Sequence, residues 1–131
     1  MTADHRTGAT EEPGAGGRSG TYAEVVDLLS TLIRFDTTNW GRGTGAGERE
    51  AAVWVAGRLE SVGWAPRLLA RDDAPNRANV VLRVPGVRRD LPGLLVHAHL
   101  DVVPAEADDW SVDPFGGLVS DGYVWDAAPS T

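Results

Sequence analysis

Apolar side chains recur at Tyr22, Val25, Val26, Leu29, Leu32 and Ile33. Steps of this kind place them on one face of a helix. Thr21 and Glu24 open the stretch in the order of a capping box, with the Thr21 hydroxyl on a free backbone N–H and Glu24 reaching back. The helix is expected to end near Phe35, before the polar run Asp36-Thr-Thr-Asn39. A second helical pattern runs from about Glu48 to Val62, with Ala51, Ala52, Val55, Leu59 and Val62 as its inner stripe and Gly63 as its stop. Between the two, residues 39–47 are Gly-rich. They lack both the preceding strand and the Lys-Ser/Thr ending of a phosphate loop, so a linker is expected.

Beyond Gly63 the pattern changes to strands. Arg67-Leu-Leu-Ala70 reads as a short strand, Asp72-Asp-Ala-Pro75 as a turn, and Asn79-Val-Val-Leu-Arg-Val84 as a strand stopped by Pro85-Gly86. Leu94-Leu-Val-His-Ala-His99 is continuously apolar until its histidines. Its lack of alternation predicts a central strand buried on both faces. A Pro/Trp/Gly-rich stretch, 104–117, precedes a last short strand at 118–125. Helix, helix and several strands amount to an α/β layered domain. Residues 1–20, rich in Gly, Thr, Ala and Glu and without periodicity, are expected to be disordered, with His5 solvated.

Composition narrows the class. The 131 residues allow one small domain or a piece of a larger one, and 42% are apolar. There is no Cys, which excludes disulfides, thiolate metal sites and a Cys nucleophile. No apolar run reaches the roughly 20 residues of a membrane helix. The start lacks the apolar centre of a secretory signal, so a cytoplasmic location is expected. The net charge is −7, and it is unevenly placed. All 12 Lys or Arg residues are Arg and lie in 1–89; residues 90–131 hold eight acids and no Arg. Such a segment repels phosphate backbones and disfavours nucleic acid. It suits a solvated face or a cation site.

The chemistry concentrates in His97-Ala-His99-Leu-Asp101-Val-Val-Pro104. In an extended chain positions 97, 99 and 101 share a face. Two imidazoles and a carboxylate would then meet at the C-terminal end of a buried strand, where open α/β sheets place ligands. Neutral imidazole is a good zinc ligand, and a neighbouring carboxylate can hold its ring. Spacing alone also fits ordinary hydrogen-bonded polar groups, or the His-x-His metal pair of amidohydrolase barrels. The barrels begin with a strand, whereas two predicted helices precede this one.

The flanking residues discriminate further. His99-Leu-Asp101-Val-Val-Pro104, Trp110-Ser-Val-Asp113-Pro-Phe115 and Asp121-Gly-Tyr-Val-Trp125 follow one another in the order of the zinc-dependent aminoacylase/carboxypeptidase family of metallohydrolases. Leu28-Leu-Ser-Thr-Leu-Ile-Arg34-Phe-Asp-Thr-Thr38 and Asn76-Arg-Ala-Asn79 are also similar to it, so the resemblance covers about residues 21–125. It implies a three-layer α/β/α sandwich of the zinc exopeptidase type. It implies hydrolysis of an amide bond in a small peptide or N-acyl amino acid, by water activated between two zinc ions. His99 matches the family's first zinc ligand, and Asp101 the carboxylate that orients it in catalysis. Ala98 stands where Gly is usual. His97 has no family role and is expected to pack within the strand. Trp110, Asp113, Pro114 and Phe115 are expected to form a turn that shapes the site.

The resemblance breaks after Trp125. There the family continues Gly-Arg-Gly-Ala-x-Asp-Met-Lys, whose Asp bridges the zinc ions; this sequence reads Asp126-Ala-Ala-Pro-Ser-Thr131. The codons TGG GGA CGC GGC GCC GTC GAC ATG A, less one G from the first run, become TGG GAC GCG GCG CCG TCG ACA TGA. That string translates to the observed ending and a stop. The expectation is therefore the N-terminal part of a catalytic domain at 21–131, of which 126–131 is a frameshifted tail. With one ligand and one orienting carboxylate, such a chain would bind zinc weakly at most and be inactive alone. A non-catalytic truncated module, or a pseudogene product with no biochemical activity, is the alternative.

Overall fold

The computed structural model describes residues 15–42 and 44–125. Helix α1 spans Ala15–Ile33 and α2 Arg49–Ser61; β1 (Arg67–Arg71), β2 (Ala74–Val81), β3 (Val119–Ser120) and β4 (Tyr123–Val124) follow, with one 3-10 turn at Ala107–Asp109. The combination is compatible with an α/β class, although the sheets are two separate antiparallel pairs. No helix among the described residues is long and apolar enough to cross a membrane.

The best-packed unit is α2 on the β1–β2 hairpin. Leu68 pairs with Val80 and Ala70 with Ala78, and a bulge between Ala70 and Arg71 leads into the turn. Ala51 and Ala52 of α2 and Ala78 of β2 are almost wholly buried. Side chains this small let helix and strand backbones approach closely. Phe35 meets Trp54 with ring centroids 6.2 Å apart, which ties the end of α1 to α2. Gly63 ends α2 as expected. It takes φ +88°, its N–H donates to the Glu60 carbonyl, and the Trp64 N–H donates to that of Leu59. These two bonds satisfy carbonyls that the helix leaves open.

Several expectations need correction. The α1 helix begins six residues before Thr21, so Thr21 and Glu24 lie inside it rather than at its start. No proline interrupts residues 14–33, so nothing in that stretch stops the helix from extending back. Residues 15–20 of the expected disordered segment are thus helical, while 1–14, with His5, lie outside the described residues. Tyr22, Val25 and Leu29 remain exposed, because little is packed along α1. Val62, placed in the inner stripe of α2, is the exposed C-cap residue instead.

The Gly-rich segment is a folded loop and not a linker. Asn76 donates to the carbonyl of Ala46, which closes the loop against β2. A Cβ on Gly47, at φ +87°, would lie 2.4 Å from the Asn76 carbonyl oxygen. β2 begins at Ala74, five residues earlier than the strand expected at Asn79. The strand expected at 118–125 is a hairpin, because Asp121 and Gly122 both take positive φ. That is the geometry of the tight turn which Asp-Gly favours.

The largest correction concerns Leu94–His99. The segment forms no strand, and Leu94, Leu95 and Val96 are 90%, 82% and 83% exposed. A strand needs another backbone beside it to complete its hydrogen bonds. Among the described residues no strand or bridge pairs with 94–99. An apolar run expresses a demand for burial; here nothing meets it.

Candidate functional site

Pairing begins just after that run. Thr38 and Val102 form a parallel bridge. The Asn39 N–H donates to the Val102 carbonyl at 2.9 Å, the Val102 N–H to the Thr37 carbonyl at 3.2 Å, and the Thr37 hydroxyl to the Leu100 carbonyl at 2.8 Å. β-Branched residues favour extended backbone, and both threonines are buried at this junction. Asp36 turns the chain out of α1 by accepting the Thr38 N–H on its side chain. The result carries Asn39 to the edge of the His99–Asp101 pair, across 62 residues of sequence.

Asn39 Nδ2 donates to Asp101 Oδ2 at 2.8 Å. The other oxygen, Oδ1, lies 3.2 Å from His99 Nδ1, and the Asp101 main-chain oxygen lies 2.7 Å from the same nitrogen. Two oxygens at Nδ1 call for a proton there, which leaves the lone pair of the neutral ring on Nε2. The Asn39 amide holds the Asp101 carboxyl below the ordinary aspartate range; its own backbone N–H and the adjacent imidazole add to this against some desolvation. Asp101 is half-buried and His99 is open to solvent. Both line a groove of about 470 Å3 whose other walls include Leu32, Phe35, Val102 and Phe115.

His99 and Asp101 therefore come together, but not by strand alternation, since the chain is not a strand at 97–99. His97 is exposed, contrary to the packed position expected for it. The turn expected around Trp110–Phe115 is present. Asp113 accepts the Phe115 N–H on its side chain and the Gly116 N–H on its carbonyl, with Pro114 buried and Trp110 and Phe115 half-buried. Gly116 and Gly117 then dock on the end of α1. Ser30 donates its hydroxyl to the Gly117 carbonyl at 2.6 Å, and a Cβ on Gly117, at φ +56°, would lie 2.3 Å from the Ser30 carbonyl oxygen. Asp126 and the tail at 126–131 lie outside the described residues.

The donor set suits a metal only in part. Among the described residues no three His, Asp or Glu side chains gather in a way that could hold an ion. His99 fits as a single ligand through Nε2. The Asp101 oxygens already face Asn39 and His99, which suits orienting the ring better than ligation. Asn39 is the participant that sequence reasoning missed. The Asp36–Asn39 run was legible as a polar turn, but nothing in its spacing names a partner so far away.

No family model matches the chain, and no solved structure matches it. Curated proteins do. Aminoacylase-1 of Sus scrofa is 40% identical over 110 residues, which is 83% of this chain and 25% of that protein. Aminoacylase-1 of Homo sapiens is 40% identical over 53 residues, 40% of this chain and 13% of its own length. The N-fatty-acyl-amino acid synthase/hydrolase PM20D1 of Xenopus tropicalis is 40% identical over 45 residues, 34% of this chain and 9% of its own. The chain thus spans about a quarter of the length of the pig protein. Within the stretch compared, the chain is similar to a partial length of aminoacylases, and no more than a quarter of any of these three proteins is covered.

Proposed function

We propose that residues 21–125 form the metal-ligating start of the catalytic unit of a zinc-dependent hydrolase. Its three-layer α/β/α sandwich would cleave amide bonds in N-acyl amino acids or small peptides. The observation that carries this reading is the arrangement at His99. Asp101 presents a carboxylate and a main-chain oxygen to Nδ1, while Asn39 occupies the other carboxylate oxygen. Metal-bound histidines characteristically have a carboxylate or carbonyl on their second nitrogen, which sets the ring and its basicity. The similarity to pig aminoacylase-1 supports the reaction class.

Zinc, when bound, supplies an activated water and polarises the amide carbonyl. His99 would contribute one lone pair to it through Nε2, and Asp101 would keep the ring proton on Nδ1. Zinc sites use three or four protein ligands, so one imidazole binds weakly. The resemblance implies two zinc ions, whereas among the described residues no three His, Asp or Glu side chains gather to hold even one. The 131-residue polypeptide is therefore expected to release no amino acid from N-acyl amino acids or dipeptides above blank, with zinc added. The proposal also includes a cytoplasmic setting and small-molecule partners. The uncompensated acids of 90–131 disfavour nucleic acid.

The test is a zinc titration of the chain followed by NMR of its three histidine rings. His99 signals should move first, through Nε2, and His99→Ala should remove that first response. Equal responses from all three rings would overturn the assignment of His99.

A further inference from the structure

Behind Asn39 the hydrogen bonds continue through two more charged residues. Glu48 stands at the N-terminus of α2 but does not cap its own helix with its side chain. Its Oε2 lies 2.9 Å from Arg77 Nη1, and its Oε1 accepts the Ala78 N–H at 3.2 Å. Arg77 sends Nη2 to the Thr44 carbonyl at 3.2 Å and, at the long distance of 3.4 Å, to Asn39 Oδ1. The two side chains are 21% and 16% exposed, whereas those of the other Arg–carboxylate pairs among the described residues are at least 43% exposed. This is the sheltered ion pair of the described chain, and it is aimed at the site.

Its effect depends on the asymmetry of an amide. Asn39 Oδ1 receives two donors, Arg77 Nη2 and the Gly41 N–H at 2.9 Å. An oxygen held by two donors fixes which end of the amide faces the other way. Nδ2 must therefore point to Asp101. With the amide flipped, oxygen would meet carboxylate, and NH2 would meet both a guanidinium and a backbone N–H. Asp101, held by Asn39 on Oδ2, keeps Oδ1 for the His99 ring.

We propose that Glu48, Arg77 and Asn39 are positioning residues that orient the Asp101 carboxylate and so set the His99 tautomer. Their relay runs from the start of α2 through β2 and the 39–47 loop to the candidate ligand. The inference rests on the reading of His99 as a metal ligand only for its consequence; the relay itself is tested without metal. In the metal-free chain, long-range 1H–15N NMR should find the His99 proton on Nδ1. Asn39→Ala loosens the carboxylate oxygen but leaves the Asp101 main-chain oxygen, 2.7 Å from Nδ1, in place, so the Nδ1–H tautomer should lose part of its excess over the free imidazole mixture. Zinc affinity at His99 should fall about tenfold, the lower end of what loss of such a partner costs.

Arg77→Lys is the variant that separates positioning from folding. A lysine keeps a charge beside Glu48 but cannot fork to Asn39 at the same time. It should shift the tautomer while leaving the melting temperature close to wild type. The Asn39→Ala/Arg77→Lys double variant should be no worse than Asn39→Ala, because both act through one chain of bonds. Arg58→Ala, which breaks the exposed pair with Glu24, serves as a control that should change nothing at His99. An unchanged tautomer in Asn39→Ala and Arg77→Lys would overturn the relay. An intact tautomer response with no zinc binding at His99 in the wild-type chain would overturn the metal reading and leave the relay standing.

Discussion

Asp101 is the residue where charge, position and candidate chemistry meet. Its carboxyl is held below the ordinary aspartate range, chiefly by the Asn39 amide. A carboxyl whose folded pKa lies below its unfolded value, near 3.9, stabilises the fold above that value. The contribution fades as the pH falls through the folded pKa. The stability difference between wild type and Asp101→Asn should therefore be level around neutral pH and shrink below about pH 4. Urea midpoints for the two proteins over a pH series measure it. A difference that stayed constant down to about pH 2 would mean that the Asp101 charge is not what Asn39 holds. The pairs Arg71–Asp73 and Arg88–Asp90 are exposed and should add little to that profile.

Helix α2 shows how two glycines can differ in what they do. Gly63 adopts φ +88° with open space around it, so alanine there meets only the backbone cost of a left-handed residue, about 1 kcal/mol. Gly47 adopts nearly the same φ, but its added methyl would sit 2.4 Å from a backbone oxygen of β2. Gly47→Ala should therefore cost more, about 2–4 kcal/mol, by adding overpacking to the left-handed strain. Denaturant unfolding of the two variants makes the comparison, and equal losses would mean that the loop is not held against β2. Gly63 was legible from sequence because a helix stop is a local event. Gly47 was not, because its constraint comes from Asn76 on another element. The same division runs through the fold. The α2 helix and β1 follow from periodicity within a short window. The Asp121-Gly122 turn was present as a signal but was absorbed into a single strand. At the site, His99 and Asp101 are two residues apart and readable together, whereas Asn39 reaches Asp101 only through the pairing of 37–39 with 100–102, and Arg77 and Glu48 meet only where β2 lies against the start of α2.

At the scale of the whole molecule, the exposed apolar run Leu94-Leu-Val96 should govern solution behaviour. All three side chains are more than four-fifths exposed, and Tyr22 and Val25 on α1 are also open to solvent. Full burial of such a side chain is worth about 1.5–3 kcal/mol, so a contact that covers several from each chain can offset the cost of association. A segment outside any strand or bridge also offers backbone groups for pairing. The net charge of −7 acts against this by keeping chains apart, and salt weakens that repulsion. Self-association should therefore rise with concentration and rise further between about 0.05 and 0.5 M salt, as read by sedimentation velocity. The double variant Leu95→Lys/Val96→Thr should suppress it with a melting temperature close to wild type, because the replaced side chains have little folded contact to lose. A chain that stays monomeric at every concentration and salt would show that these side chains find cover within one molecule, and the variant would then lower its melting temperature instead.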